Sequence, residues 1–345
     1  MTDGADPILV GVLYDFPQAD GGAGFEEALR LGIAEVVLDR PVELVPRQAR
    51  GLPMGTAHDV ERCFAALVEA GVLAVVGPSI SDNGLLVRDL ADGSGVPCVN
   101  YTGGERTRSR FMFHYQVGSL AEEPVVLGEH LAAAGLGSAA VVHDRSPVGQ
   151  GYAEAFAGAS ERAGVDVVGR AAISPLATEA KAIVERLQAA RPDALVYLGL
   201  GMSARTVAVA LQEAAWDVPV VANSALMFGY ARKDWRPGWE GWVYVDTVSD
   251  GNGRRQGLKD RSPRSAAGPV GVAAYDIGRL VAEGLSRAVH LTGPGVRDGL
   301  EQVKRLPAGS GKDGTVMGFG PWDHGALKGD YLVLRTWRDG KTVEL

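Results

Sequence analysis

The residues whose spacing most suggests chemistry lie in DALVYLGLGMSARTVAVAL, Asp193 to Leu211. Gly199, Gly201 and Ala204 spell G-x-G-x-x-A between an apolar run and a helical pattern. This is the outline of a dinucleotide-binding fingerprint, in which glycines let backbone amides approach a pyrophosphate at a helix N-terminus. The fingerprint also needs an acidic residue at the end of the next strand, to hold the ribose. That strand, VPVVANSAL, ends in Asn223 and Ser224, and Asp217 comes before it. Gly201-Met202-Ser203-Ala204-Arg205 misses the G-x-S-x-G nucleophile elbow at its last position. There is no Walker A sequence, and the six histidines are dispersed, with no H-E-x-x-H. Cys63 and Cys98 form no C-x-x-C and read as buried thiols acting as small hydrophobes. No acidic pair stands out as an acid/base couple. The chain therefore reads as a non-enzyme with no cofactor and no metal site; a nucleotide-dependent enzyme is the remote alternative.

A second polar cluster, Ser79, Ser81, Asp82 and Asn83, follows the apolar run VVG and opens a helical pattern. A hydroxyl and free amides at a helix N-terminus suit a carboxylate or an amide oxygen. The plain alternative is an N-cap.

The elements that must position these residues alternate along the whole chain. Short apolar runs such as ILVGVLY (8–14), LAVVG (73–77), AAVVHD (139–144) and ALVYLG (194–199) predict strands. Between them HDVERCFAALVEAG (58–71) and TEAKAIVERLQAA (178–190) carry apolar residues three and four apart, which predicts helices. Near-continuous apolar strands alternating with helices imply parallel sheets covered on both faces. The pattern repeats internally. Gly77 to Pro97 and Gly199 to Pro219 both span twenty residues of turn, helix and V-P strand opening, and the second strands end near Asn100 and Asn223. A weaker pair joins VGVLYD…GFEEALRLGIAEV to AAVVHDRSPVGQGYAEAFAGASERAG. Two α/β lobes on one plan follow.

Composition limits the partners. The 345 residues are 46% hydrophobic with a net charge of −8, and Lys and Arg are scattered. No basic stripe offers a footprint for nucleic acid. No apolar run approaches the ~18 residues of a membrane span, so direct membrane insertion is not expected. The start, MTDGADPILVGVLYDF, shows no secretory leader, which favours a cytoplasmic location as the sequence stands, or an extracytoplasmic one if a leader was removed. The stretch 249–268 reads as a solvated loop, Trp235, Trp239 and Trp242 as an edge cover, and His324 as an exposed turn residue.

With the repeat and the turns in view, the chain resembles the type I periplasmic binding proteins, in particular the branched-chain amino-acid and amide-binding branch. The resemblance rests on the opening strand and helix, VVGPSISDNGLLVRDLADGSGVPCVNYTGG, the V-G-Q-G turn, RPDALVYLGLG and the closing LPAGSGKDGTVMGFGPWDHGALKGDYLVLRTWRDGKTVEL. It implies an α/β fold of two Rossmann-like lobes joined by three crossover strands, with the ligand between the lobes. The lobes are then expected at 1–117 plus 249–322 and at 118–248 plus 323–345.

The resemblance also implies site residues. Ser81 matches the serine that holds the ligand's polar head, with Asn83 beside it. In NYTGG, Thr102 falls at a ligand-facing carbonyl. Gly104 stands where the family has a hydroxyl, so only its N–H remains. Tyr101 either stacks on the ligand or caps the strand. Val148 stands where an aromatic ring is usual, and so does Met202. Asn223 and Ser224 occupy the turn where amino-acid binders place a carboxylate against the ligand's ammonium. Phe16 is a candidate lid aromatic, with Tyr14 the weaker one. The missing acid argues against an α-amino acid, because an unpaired ammonium in a dry cleft costs several kcal/mol. A small carboxylate- or amide-bearing, partly apolar ligand is expected. The partner that reads the bound state is an ABC permease or, in the alternative, a regulatory protein acted on by a cytoplasmic ligand sensor.

Overall fold

The computed structural model describes residues 6–17 and 22–345. The chain begins with β1 (Ile8–Tyr14), α1 (Ala23–Ile33), β2 (Val42–Gln48), α2 (Ala57–Glu69), β3 (Ala74–Val76), α3 (Ser81–Ser94), β4 (Cys98–Asn100) and β5 (Met112–His114). Then follow α4 (Glu123–Ala133), β6 (Ser138–Asp144), α5 (Pro147–Ala163), β7 (Asp166–Ile173), α6 (Lys181–Gln188), β8 (Ala194–Leu198), α7 (Ala204–Glu213), β9 (Val220–Ala222), α8 (Phe228–Ala231) and β10 (Val243–Asp246). After these come α9 (Gly253–Arg261), α10 (Pro269–Arg287), α11 (Gly293–Glu301), β11 (Leu306–Pro307), β12 (Val316–Met317) and β13 (Leu327–Lys328). The hairpin β14 (Val333–Arg338) and β15 (Lys341–Glu344) ends the chain.

Contacts divide the chain into two units, 1–117 with 248–331 and 118–247 with 332–345. In the first unit the parallel sheet runs β2-β1-β3-β4-β5. In the second, β7-β6-β8-β9-β10 repeats that order one for one, and β14 and β15 add antiparallel strands beyond β10. The internal repeat of the sequence is thus a repeat of topology. Sheets of this order bind ligands at the switch point, where the first and third strands end together. Those ends are residues 15 and 77–81 in one unit, and residues 144 and 199–203 in the other.

Local chemistry fixes the elements. Strand β1 is almost wholly buried, which is why all seven of its residues, ILVGVLY, are apolar or glycine. Helix α2 starts where Thr56 Oγ1 accepts the Asp59 N–H (3.2 Å), and α5 where Ser146 Oγ accepts the Gly149 N–H (3.0 Å). The first unit buries Leu13, Phe64, Leu67, Val75, Val87 and Met112 around β1, β3 and β4.

Several expectations need correction. Residues 323–331 lie in the first unit. Gly325 bridges His114, β13 pairs β12, and Gln116 grips Leu327 through both its amide atoms (3.2 and 2.9 Å). The stretch 249–268 contains α9, because Asn252 Oδ1 caps the Arg255 N–H (2.9 Å) while its Nδ2 donates to the carbonyls of Ala308 and Gly311. His324 is only 7% exposed, stacked on Phe113 at 4.0 Å and bonded to Ser109 O and Glu301. Trp239 and Trp242 belong to the core of the second unit, with Trp337. Cys63 and Cys98 are free and buried.

Candidate functional site

In the first unit the turn after β3 is organised by Asp15, the residue directly after β1. This carboxylate is 1% exposed and accepts from Ser79 N (2.8 Å), Ser79 Oγ (2.7 Å), Ile80 N (2.9 Å) and Asn83 Nδ2 (2.8 Å). Burial pushes its pKa up; the four donors pull the other way. Asn83 also exchanges two bonds with the Leu52 backbone (2.9 and 3.1 Å), so its amide is engaged by the fold.

Ser81 differs from these neighbours. It is the first residue of α3 and 4% exposed, and neither its N–H nor its hydroxyl has a hydrogen-bond partner among the described residues. A buried hydroxyl and a helix-end amide left open together form a receptor for one oxygen. Gly104 faces it: a Cβ there would stand 3.1 Å from both Ser81 Cβ and Oγ. The glycine, at an ordinary φ of −110°, therefore keeps space above the serine rather than serving a turn. Its own N–H leans on Thr102 Oγ1 (3.3 Å).

Thr102 offers less than its position promised. Its carbonyl accepts from Val117 N (3.3 Å) and from His114 Nε2 (2.8 Å), and its hydroxyl donates to Asn100 Oδ1 (2.9 Å). Burial lowers the His114 pKa to about 3, so the ring is neutral. Its Nδ1 accepts from Arg108 Nε (3.2 Å), which leaves the proton on Nε2. Tyr101, 2% exposed, stacks on Phe25 at 4.9 Å. Its hydroxyl lies beside Ser79 but makes no hydrogen bond of normal geometry among the described residues. Phe16 is half-buried just beyond β1.

The second unit repeats the device. Asp144, at the end of β6, accepts from Ser203 Oγ (2.7 Å), Leu200 N (2.5 Å) and Tyr197 OH (3.3 Å). A Cβ on Gly199 would lie 2.3 Å from the Asp144 carboxyl. The glycine-rich turn is thus shaped around an internal carboxylate, and the amide that a pyrophosphate would need already binds one. Asn223 exchanges two bonds with Gly199 (3.2 and 3.0 Å) and ties β9 to β8. Val148 is 6% exposed and packs in the apolar cluster with Tyr152, Phe156 and Leu198. Met202 is half-buried in the turn.

Glu123 carries no sequence signal, yet it dominates the turn after β9. Wholly buried, it accepts from Ser119 N (2.6 Å), Tyr152 OH (2.7 Å), Ser224 N (2.6 Å) and Ser224 Oγ (3.1 Å). Burial raises its pKa to about 7 against those bonds. An open groove of about 800 Å³, lined by Leu211, Trp216, Pro219 and Trp242, lies at the opposite end of β9, away from all these turns.

Several solved structures share this architecture. A type 1 periplasmic binding protein from Bordetella pertussis Tohama I aligns over 99% of this chain and 100% of its own, with a TM-score of 0.84 at 17% identity. A substrate-binding protein of an ABC transporter from Desulfitobacterium hafniense, in complex with Leu, aligns over the same shares with a TM-score of 0.80 at 19% identity. The branched-chain amino acid transporter protein LivJ of Streptococcus pneumoniae, in complex with isoleucine, also covers 99% and 100%, with a TM-score of 0.82 at 16% identity. No curated protein sequence matches the chain significantly. The model of one protein family, however, matches residues 7–340, and by that match the chain belongs to the periplasmic binding protein family, as a binding protein and not an enzyme.

Proposed function

We propose that this chain is the solute-binding component of an ABC transporter and that its ligand is a small molecule with one carboxylate or amide head and an apolar body. The head meets the open N–H and hydroxyl of Ser81 on the first lobe and the Ser224 turn on the second. Phe16, Tyr101 and Met202 supply apolar contact, and Gly104 leaves room for the head. Asn83, Thr102 and Asn223 hold the turns in place, and Val148 backs the second turn from the core.

The observation that carries this reading is Ser81, a buried serine at a helix N-terminus with both donors open beside a glycine that leaves space. Transport rests on the family and on the names of the similar structures. Two of those structures hold leucine and isoleucine. Here the corresponding turn has no acid of its own. Glu123, the carboxylate behind it, is wholly buried and already engaged in four hydrogen bonds, three on Oε1 and one on Oε2. A ligand ammonium would have no carboxylate of that turn itself to pair with.

A calorimetric panel of apolar acids and amides against leucine and valine tests the reading. We expect binding of the first group, weakened about tenfold by Ser81→Ala, which keeps the N–H and loses the hydroxyl's one donated hydrogen bond. A clear preference for leucine or valine, or full affinity in Ser81→Ala, would refute it.

A further inference from the structure

Ser224 is held twice by one carboxylate. Its N–H donates to Glu123 Oε2 (2.6 Å) and its hydroxyl to Oε1 (3.1 Å). A serine hydroxyl has one proton. While that proton points at Glu123, the oxygen offers any ligand only its lone pairs. We propose that Glu123 is a specificity-determining residue, which fixes Ser224 as a hydrogen-bond acceptor and so requires a donor, an amide N–H rather than a carboxylate oxygen, on the ligand group that meets the turn after β9. This rests on the reading of Ser224 as a ligand-facing residue and narrows the ligand class from acids or amides to amides.

Charge acts in the same direction. An ionised Glu123 behind Ser224 repels a second carboxylate, and burial leaves little water to screen it. The groups facing Glu123 carry no charge at neutral pH. They are the Tyr152 phenol from α5, the Ser224 hydroxyl and N–H from the turn after β9, and the Ser119 N–H ahead of α4. Glu122 precedes it on its own segment, and Asp246 at the end of β10 binds Thr247 N and Tyr230 OH instead. When Glu123 takes up a proton it becomes a donor. It can then give that proton to Ser224 Oγ, which frees the serine hydroxyl to donate to a ligand carboxylate. The discrimination therefore has a pH profile that a merely structural glutamate would not produce.

The test uses isosteric pairs, isobutyramide with isobutyrate and benzamide with benzoate, titrated calorimetrically into the whole protein at about pH 8.5 and about pH 5.5, where both acids stay ionised. The wild type is expected to favour each amide at least about tenfold at the higher pH, and much less at the lower. Glu123→Gln should bring the two members within about threefold at both pH values. Should that variant fail to fold, Ser224→Ala keeps the backbone bond to Glu123 and loses only the hydroxyl; it is expected to narrow the preference at the higher pH, what remains being the repulsion by the Glu123 charge. Equal binding of acid and amide by the wild type at high pH would overturn the inference and leave the proposed site standing. So would a preference undiminished in Ser224→Ala. Binding of neither member of any pair would overturn the proposed ligand class and the inference with it. Leucine binding that exceeds both and is lost in Glu123→Gln would keep the donor rule and sink the ligand class.

Discussion

Asp15 and Asp144 hold the same place in the two lobes, the first residue beyond β1 and the last of β6, and they do the same work. Each turns a carboxylate back onto the N–H groups of the turn that follows the third strand of its sheet. A buried carboxylate held by several donors is costly to remove, because the N–H groups it satisfied are then left buried and unpaired. Glu123 adds a third such residue with a measurable signature. Its proton is held more tightly in the folded chain, where its pKa is about 7, than in the unfolded chain at the ordinary 4.5. The stability it contributes is therefore fully present below about pH 4.5 and is lost as pH rises through about 7. At 1.36 kcal/mol per unit this amounts to about 3 kcal/mol across the window. Urea titrations from about pH 5 to about pH 8 should show that decline in the wild type, and a smaller one in Glu123→Gln. An unchanged slope in the variant would show that other groups carry the dependence. None of these acids was legible in the sequence. Among 42 Asp and Glu they follow no period, and their role depends on which N–H groups the fold brings to them. The place of Ser81 at a helix start was legible because strand, glycine-containing turn and helix start stand next to one another.

Helices α1 and α10 meet backbone to backbone. A Cβ on Gly278 would stand 2.2 Å from the Leu29 carbonyl oxygen, and one on Gly32 2.0 Å from that of Tyr275. The contact is closed by Glu35, which takes Arg254, Arg261 and Arg279 together with the Tyr275 hydroxyl, and so draws α9 onto the same pair. In an exposed helix a Gly→Ala change stabilises by about 1 kcal/mol. Gly278→Ala should do the opposite and cost about 3 kcal/mol, because a backbone carbonyl cannot step aside as a side chain can. Chemical denaturation of the variant checks the sign, and a gain in stability would show that the helices can separate freely. Most elements could be read from sequence because burial on both sheet faces makes strands such as β1 and β8 continuous apolar runs. The misread ones obey other rules. Helix α9 is almost wholly polar and stands on its Asn252 cap and the Glu35 ion pairs, not on an apolar stripe. The third boundary, expected after 322, falls after 331. What holds 323–331 in the first unit is pairing with residues some two hundred positions earlier, His114 and Gln116.

At the scale of the molecule, neither unit is a continuous piece of chain. The first is closed by 248–331 and the second by the hairpin of β14 and β15, whose Trp337 lies buried and stacked on Tyr244. Each unit has its own apolar core. Two units with separate cores need not unfold in one step. A ligand gripped by both, as we propose, makes their stabilities interdependent. At about a hundred times its Kd it adds about 2.7 kcal/mol to the folded state, and nothing to a chain in which either unit has opened. Scanning calorimetry of the free protein should then show two components or one broad transition. Saturating amide should raise the less stable component and draw the two together. If only one component rises and the other stays where it was, the ligand is held by a single lobe. The transport reading would then lose its physical basis, since a grip by one lobe leaves no closed state for a permease to distinguish from the open one.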